Sequence, residues 1–349
     1  MNIKSLLLGS AAALAAVSGA QAADAIVAAE PEPMEYVRVC DAFGAGYFYI
    51  PGSETCLKIG GYVRFQVEFG EEINGVGIYQ PGAPLQNDAW DLQTQAYLTA
   101  TAKTDTELGA LTSVIGLEGD ISYDDTNAFY VDEAYLSLGG LKAGVFYSYW
   151  DAGIAGESDD LKSQDRFTSI GYEYTSDAFT VGVFLDEIEH SMTRGILGYR
   201  NGYHNVGIES QVSASLGGVT LALLGGYDVE AEDGTIRAIA TAAIGPGTLN
   251  LGGYYATGVN VYGKEAEWSV AASYSVKATD KLTIIPGYAY GGNLLNAAGT
   301  GFGNTDAWRA GVLFEYQVVS GLTAKLNVQY TDSIVDESVG GWFRLQRDF

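Results

Sequence analysis

The chain has 349 residues and a formal net charge of −25, from 43 acidic and 18 basic side chains. That balance argues against nucleic acid as a partner, because a surface that binds nucleic acid is basic. With 46 Gly, 24 Tyr and only 7 Pro, the composition suits many twisted strands with aromatic belts.

At the amino end, Met1 to Ala22 carries a lone Lys4, an apolar run from Leu6 to Val17, and Ala20-Gln21-Ala22 before Ala23. Charge, apolar core and small-x-small site in that order read as a secretory signal. The run is shorter than the roughly 20 residues of a helical span, so residues 1–22 are expected to be removed on export. Residues 23–35, with Glu30-Pro31-Glu32-Pro33, read as a loose leader. Cys40 and Cys56 are an even pair in an exported chain and read as one disulfide. The short loop it closes limits its contribution to about 3 kcal/mol. No His lies nearby and the spacing fits no zinc pattern, so no metal is expected there. The leader with this loop is taken as 23–56 and the remainder, 57–349, as one domain.

From Leu57 a single pattern repeats. Leu57, Ile59, Gly61, Val63, Phe65, Val67 and Phe69 alternate with Lys58, Gly60, Tyr62, Arg64, Gln66 and Glu68. This is a strand with one apolar and one polar face, longer than the usual globular strand of about 5–6 residues. Similar strands follow at 90–103, 111–119 and 129–138. Gly139-Gly140 turns the chain into 141–149. After a gap come 166–174 and 179–187, and after another 205–216, turning at Gly217-Gly218 into 219–229. Strands at 235–244 and 249–257 flank Gly245-Pro246-Gly247, and 267–276 and 282–290 flank Thr279-Asp280. Strands at 305–318 and 322–331 meet near Gly321, and the last ends at Phe349. Pro286 interrupts a strand and is best tolerated where pairing is weak.

About sixteen strands, with tight turns alternating with longer gaps, predict an all-β transmembrane antiparallel barrel. Its short turns would be periplasmic and its long loops extracellular. A β-sandwich does not sustain this many long strands, and no 40–50-residue repeat marks propeller blades. The closing decapeptide fits: Phe343, Leu345, Arg347 and Phe349 share one face, and Trp342, Arg344, Gln346 and Asp348 the other. A basic side chain facing the bilayer midplane costs about 2–4 kcal/mol. Arg64, Arg237, Arg309, Lys325 and Arg344 are therefore expected to point into the lumen. Arg347 falls on the lipid face at the interface, where the cost is small. A polar lumen in so wide a barrel should hold water.

The gap from 150 to 165 carries Asp151, Glu157, Asp159, Asp160 and Asp165. It reads either as a loop folded into the pore, its carboxylates facing the wall arginines across a transverse field, or as a solvated acidic loop. The arginines read either as a basic ladder across the seam, with Arg64, Arg344 and Arg309, or as isolated charges paired with Glu68, Glu133 or Glu315. Enzymatic signals are poor. His190 and His204 fall in or beside one predicted loop, no G-x-S-x-G elbow is present, and Asp124-Asp125-Thr126-Asn127 matches no calcium spacing. No cofactor is expected.

Tyr36-Val37-Arg38-Val39-Cys40-Asp41-Ala42-Phe43-Gly44-Ala45-Gly46-Tyr47-Phe48-Tyr49-Ile50-Pro51-Gly52-Ser53-Glu54-Thr55-Cys56-Leu57 closely resembles the amino-terminal signature of the alphaproteobacterial porins of Brucella and rhizobial-type bacteria. Gly60-Gly61-Tyr62-Val63-Arg64 and Arg344-Leu345-Gln346-Arg347-Asp348-Phe349 resemble that family's first and last strands. The segment Val131 to Gly144 resembles the hairpin before its constriction loop. The resemblance implies a sixteen-stranded, homotrimeric general-diffusion porin of the bacterial outer membrane, among lipid and lipopolysaccharide. It implies that the loop at about 150–165 is the eyelet, and that the barrel-assembly machinery reads Phe349. Small hydrophilic solutes and ions would pass. The alternatives are a sugar-specific channel, with Tyr97, Tyr135 and Trp342 along its path, and a surface-interaction barrel.

Overall fold

A strand with one greasy and one wet face must bury its backbone polar groups in neighbouring strands, and in hydrocarbon the last strand must also find a partner. The computed structural model describes residues 38–70, 90–122, 128–159, 166–188, 205–263, 265–296, 299–332 and 337–349. The expected signal segment, residues 23–37 of the leader, Asp124–Asn127, Asp160, Asp165, His190 and His204 lie outside the described residues.

A two-residue strand, β1 (Phe48–Tyr49), precedes the barrel. The wall is built from β2 (Cys56–Gly70), β3 (Trp90–Thr104), β4 (Leu111–Ser122), β5 (Ala128–Leu138), β6 (Leu141–Tyr147), β7 (Arg166–Thr175), β8 (Phe179–Glu187) and β9 (Val206–Leu216). It continues with β10 (Val219–Asp228), β11 (Asp233–Ile244), β12 (Gly247–Ala256), β13 (Ala266–Lys277), β14 (Leu282–Leu294), β15 (Asp306–Val319), β16 (Leu322–Asp332) and β17 (Glu337–Asp348). Each strand pairs antiparallel with the next, and β17 pairs with β2, which closes a 16-strand antiparallel barrel. No described helix is long and apolar enough to cross a membrane; the strands do so.

The expected strand over 141–149 ends at Tyr147. Ser148 accepts a hydrogen bond from the Trp150 amide, and Tyr149–Asp151 form a 3-10 turn. The side-chain cap diverts the chain from the wall at the start of the long loop. Pro286 sits in β14, and the β13–β14 ladder is interrupted beside it: Ser273↔Gly287 and Val276↔Ile284 pair, but the two positions between do not. The missing donor falls on that gap.

Register sorts the side chains. Val63, Phe65, Val183, Leu185, Leu223 and Val270 are exposed on the outer face. In water such a surface is an interaction patch; here it meets acyl chains. Aromatic residues band both rims of that face. Trp90, Phe129, Tyr227, Tyr255 and Trp268 lie toward the long-loop end, and Tyr172, Tyr174, Phe179 and Tyr316 toward the short-turn end. These are the two girdles of an outer-membrane barrel. Arg347, opposite Val63 on the outer face, donates from Nη1 to the Gly321 carbonyl at 3.1 Å at the short-turn rim.

Facing sets the cost of substitution. Leu223→Arg, near the middle of β10 on the outer face, should lower stability by about 2–4 kcal/mol. Gln211→Arg, lumenal on the neighbouring β9, should cost much less. Urea unfolding in lipid vesicles followed by tryptophan fluorescence distinguishes the two.

Candidate functional site

The lumen is the site, and its far wall is reached by the segment that leaves β6. Tyr149 comes first. Its amide donates to Glu209 Oε2 of β9 at 3.1 Å and its hydroxyl to Glu173 Oε2 of β7 at 2.5 Å. A Cβ on Gly182 of β8 would lie 1.8 Å from that hydroxyl, so only glycine leaves room for the ring. Trp150 is 1 % exposed and packs with Phe167, Ile188, Leu224, Val261 and Tyr262. Tyr262, from the β12–β13 connection, donates to Asp186 Oδ2 at 2.5 Å, and Ser169 donates to Asp186 Oδ1 at 2.6 Å. Burial, reinforced by these carboxylates, pushes the hydroxyls of Tyr149 and Tyr262 well above the ordinary tyrosine range, so both remain donors.

Beyond this root the segment turns along the opposite wall. Ile154 packs in the cluster of Tyr254, Ala271 and Ala289 on β12, β13 and β14. Asp159 Oδ2 accepts from the Ile154 amide at 3.0 Å and from Arg237 Nη2 of β11 at 2.9 Å. The Arg237 and Asp159 side chains are 2 % and 3 % exposed. Arg237 Nη1 also donates to the Trp150 carbonyl at 3.4 Å. Gln329 of β16 donates to the Glu157 carbonyl at 2.5 Å. Arg237 is thus a clamp on the loop, its partner Asp159 being one of the loop carboxylates read as facing the wall arginines.

The other basic residues line the seam. Arg344 stands opposite Lys325 of β16 and Gln66 of β2; Arg64 stands opposite Gln346 of β17 and Gln95 of β3. Arg344 Nε donates to Gln66 Oε1 at 2.6 Å, and Arg64 Nε to Gln346 Oε1 at 3.0 Å. Each guanidinium also lies over a ring, Arg64 over Tyr62 at 4.6 Å and Arg344 over Trp342 at 4.1 Å. These hydrogen bonds to neutral amides orient the two cations. Lys325 instead pairs with Glu315 at 2.5 Å. Arg309 is lumenal but higher on the wall, its Nε donating to Thr331 Oγ1 at 3.1 Å. It is not brought beside Arg64 and Arg344.

Acidic side chains occupy the adjoining arc. Glu118 Oε1 and Asp120 Oδ1 of β4 accept from Gln95 at 2.9 and 3.0 Å, and Glu133 Oε2 of β5 accepts from Tyr97 at 3.1 Å. Tyr97 and Tyr135 are lumenal by register, as is Trp342. Asp151 and Glu157 lie in the described part of the loop, with Asp160 and Asp165 beyond it. Among the described residues, no three His, Cys, Asp or Glu side chains gather as a metal site. Sequence reasoning did not pick out Asp186, Glu209, Tyr149 or Tyr262. The first two do fall in the lumenal phase of their strands, but nothing local marks them as anchors for a distant loop.

A barrel with these faces and this loop finds relatives at once. The Porin subfamily matches residues 24–344. The chain belongs to that family. It is 49 % identical over 358 residues to the putative outer membrane protein y4fJ of Sinorhizobium fredii, covering 100 % of this chain and 99 % of that one. It is 35 % identical over 388 residues to porin Omp2b of Brucella neotomae, with both chains covered completely (100 %). Among solved structures, the outer membrane channel DcaP of Acinetobacter baumannii superposes with a TM-score of 0.67 at 14 % identity, over 86 % of this chain and 99 % of that one. That last likeness concerns the fold alone. The protein is an outer-membrane porin, a membrane-embedded channel.

The clamp makes a stability prediction for this porin. Arg237→Met leaves the Asp159 carboxylate buried and unpaired and should cost about 3–5 kcal/mol, whereas Arg237→Met with Asp159→Leu should recover most of it. Denaturant unfolding of the refolded variants measures both.

Proposed function

We propose that this porin is a general-diffusion channel, a passive water-filled bore for small hydrophilic solutes and ions, narrowed by the acidic loop at about 150–165. The observation that carries the reading is the span of contacts from Tyr149 at β7–β9 to Arg237 on β11 and Gln329 on β16. A segment tethered on both sides of a bore leaves solutes the space beside it. Glu157 on the loop and Asp151 at its start supply negative charge, while Asp159 is spent on Arg237. Arg64 and Arg344, held by neutral amides, supply positive charge on the wall, with Arg309 higher up and Arg237 committed to the loop. Opposed charges across a narrow water-filled gap orient water and disfavour apolar solutes. Residues 1–22 would direct export, and Phe349 would serve the barrel-assembly machinery. The working form would be a homotrimer among outer-membrane lipid and lipopolysaccharide.

Planar-bilayer recording tests the reading directly. Large, stable conductance steps are expected, grouped in triplets. Folded, purified protein that carries no current would overturn it. The acidic excess predicts a mild cation preference. Arg64→Ala with Arg344→Ala should move the reversal potential in a salt gradient further toward the cation value, and a move toward chloride would contradict the assigned wall charges.

A second reading has one specific support. Tyr62 and Tyr97 stack on the lumenal face with ring centroids 5.4 Å apart, one and two strands from the strand of Trp342. Flat rings along a bore suit sugar faces. Saturable block of the current by one sugar, abolished by Tyr97→Ala, would favour a substrate-specific channel.

A further inference from the structure

The geometry points to a second selectivity zone at the short-turn mouth, built by the disulfide-tied lobe of residues 39–56 folded over Lys58 and Lys103. The inference rests on the channel reading above and concerns a part of the bore remote from the acidic loop.

Register places the lobe. Cys56 and Lys58 are in phase with Arg64 and Gln66 on β2, hence lumenal, and Lys103 of β3 stands directly opposite Cys56. All three lie at the strand ends nearest the short turns. β1 adds to the free edge of β2 below the point where β17 ends, with Phe48↔Leu57 and Tyr49↔Cys56. Val39 bridges to Phe48, and the Cys40 amide donates to the Tyr47 carbonyl at 2.9 Å. Cys40 is bonded to lumenal Cys56, with 6.0 Å between their Cα atoms. The segment is therefore drawn to the inner side of the wall.

The side chains agree with the backbone. Cys40, Tyr47 and Cys56 form a buried cluster with Phe43 and Tyr49 packed against it. Lys103 Nζ lies 5.8 Å from the centre of the Phe43 ring and 5.7 Å from that of Tyr47, and Lys58 Nζ lies 5.8 Å from Tyr47. Phe43 and Tyr47 themselves meet edge to face. Both lysines belong to the lumenal wall, so rings within cation–π range of them sit over that wall and not over the lipid face. The 3-10 turn Asp41–Phe43 and the exposed Gly44–Gly46 that follows then project beside the mouth.

The consequence is local narrowing. The disulfide closes a short loop, which restricts the conformations the lobe can reach. The lobe occupies cross-section at the short-turn end and holds two ammonium groups beside the solute path. A solute that clears the acidic loop meets this cationic opening next. It selects chiefly on size among neutral solutes, because the lobe excludes volume there whatever the solute's charge.

Two readouts test this: single-channel conductance, and liposome swelling with uncharged saccharides of increasing length. Cys40→Ser with Cys56→Ser, and separately Phe43→Ala with Tyr47→Ala at an intact disulfide, should each raise unitary conductance. Each should also raise the permeation rate of a trisaccharide relative to a monosaccharide. Heat-modifiable electrophoretic mobility checks that each barrel has formed. A variant that forms its barrel but conducts and sieves as the parent does overturns the proposal. Should both pairs prevent folding, Ala45→Cys at an exposed position, labelled with a bulky thiol reagent, decides: lower conductance is expected, and unchanged current after full labelling overturns the idea. A parent protein that carries no current would instead defeat the channel reading itself.

Discussion

Backbone closure is the constraint on which the rest of this structure depends. Inside a bilayer no water can satisfy a peptide group, so every strand needs two partners, and only a closed sheet provides them. The pairing of β17 with β2 meets that demand. Once the sheet is closed, the period of two does the sorting: one phase of each strand meets acyl chains and the other meets the bore. The outer belt of valine and leucine, the aromatic rims and the polar lumen all follow from that one geometric fact. Even the exceptions obey it, since Pro286 falls on a gap in its ladder and Arg347 reaches a carbonyl at the rim.

The loop after β6 shows a second principle, that a segment crossing a wet space must be fixed at both ends to hold a shape. Near its root the fixing is aromatic, with Trp150 enclosed and Tyr149 donating to Glu173. At its far side the fixing is ionic, through Arg237 and Asp159. The ion pair is buried, so its partners are costly to separate even though the pair as a whole contributes little net stability. Such a pair fixes the loop's position more than it adds stability.

Much of this was legible in the chain. Alternation alone marked the sixteen wall strands to within a few residues, because in a barrel the hydrophobic period is not blurred by a shared core. Arg64 and Arg344 could be placed in the lumen and beside each other, since their phase and their strands' positions at the chain ends both derive from counting. What counting misses is tertiary. Arg309 shares the phase of the seam arginines but sits higher on the wall, because stagger along the barrel axis is set by turn lengths. Arg237 looked like one more wall charge, and only the folded chain shows that Asp159 comes to meet it. Asp186 and Glu209, which help hold the loop's root, look on the page like any polar residue of a wall strand. The two-residue β1 is too short for any periodicity to betray.

The crossed amides at the seam carry a last implication. All wall pairings but one join strands adjacent in the chain, so each can zip as a local hairpin. The exception unites strands separated by almost the entire domain, and its ordering cost grows with the enclosed length. Arg64 with Gln346 and Arg344 with Gln66 lace that very joint. The side chains proposed to meet passing ions are thus also the stitches that finish the cylinder, so a change that retunes the proposed role also touches the joint.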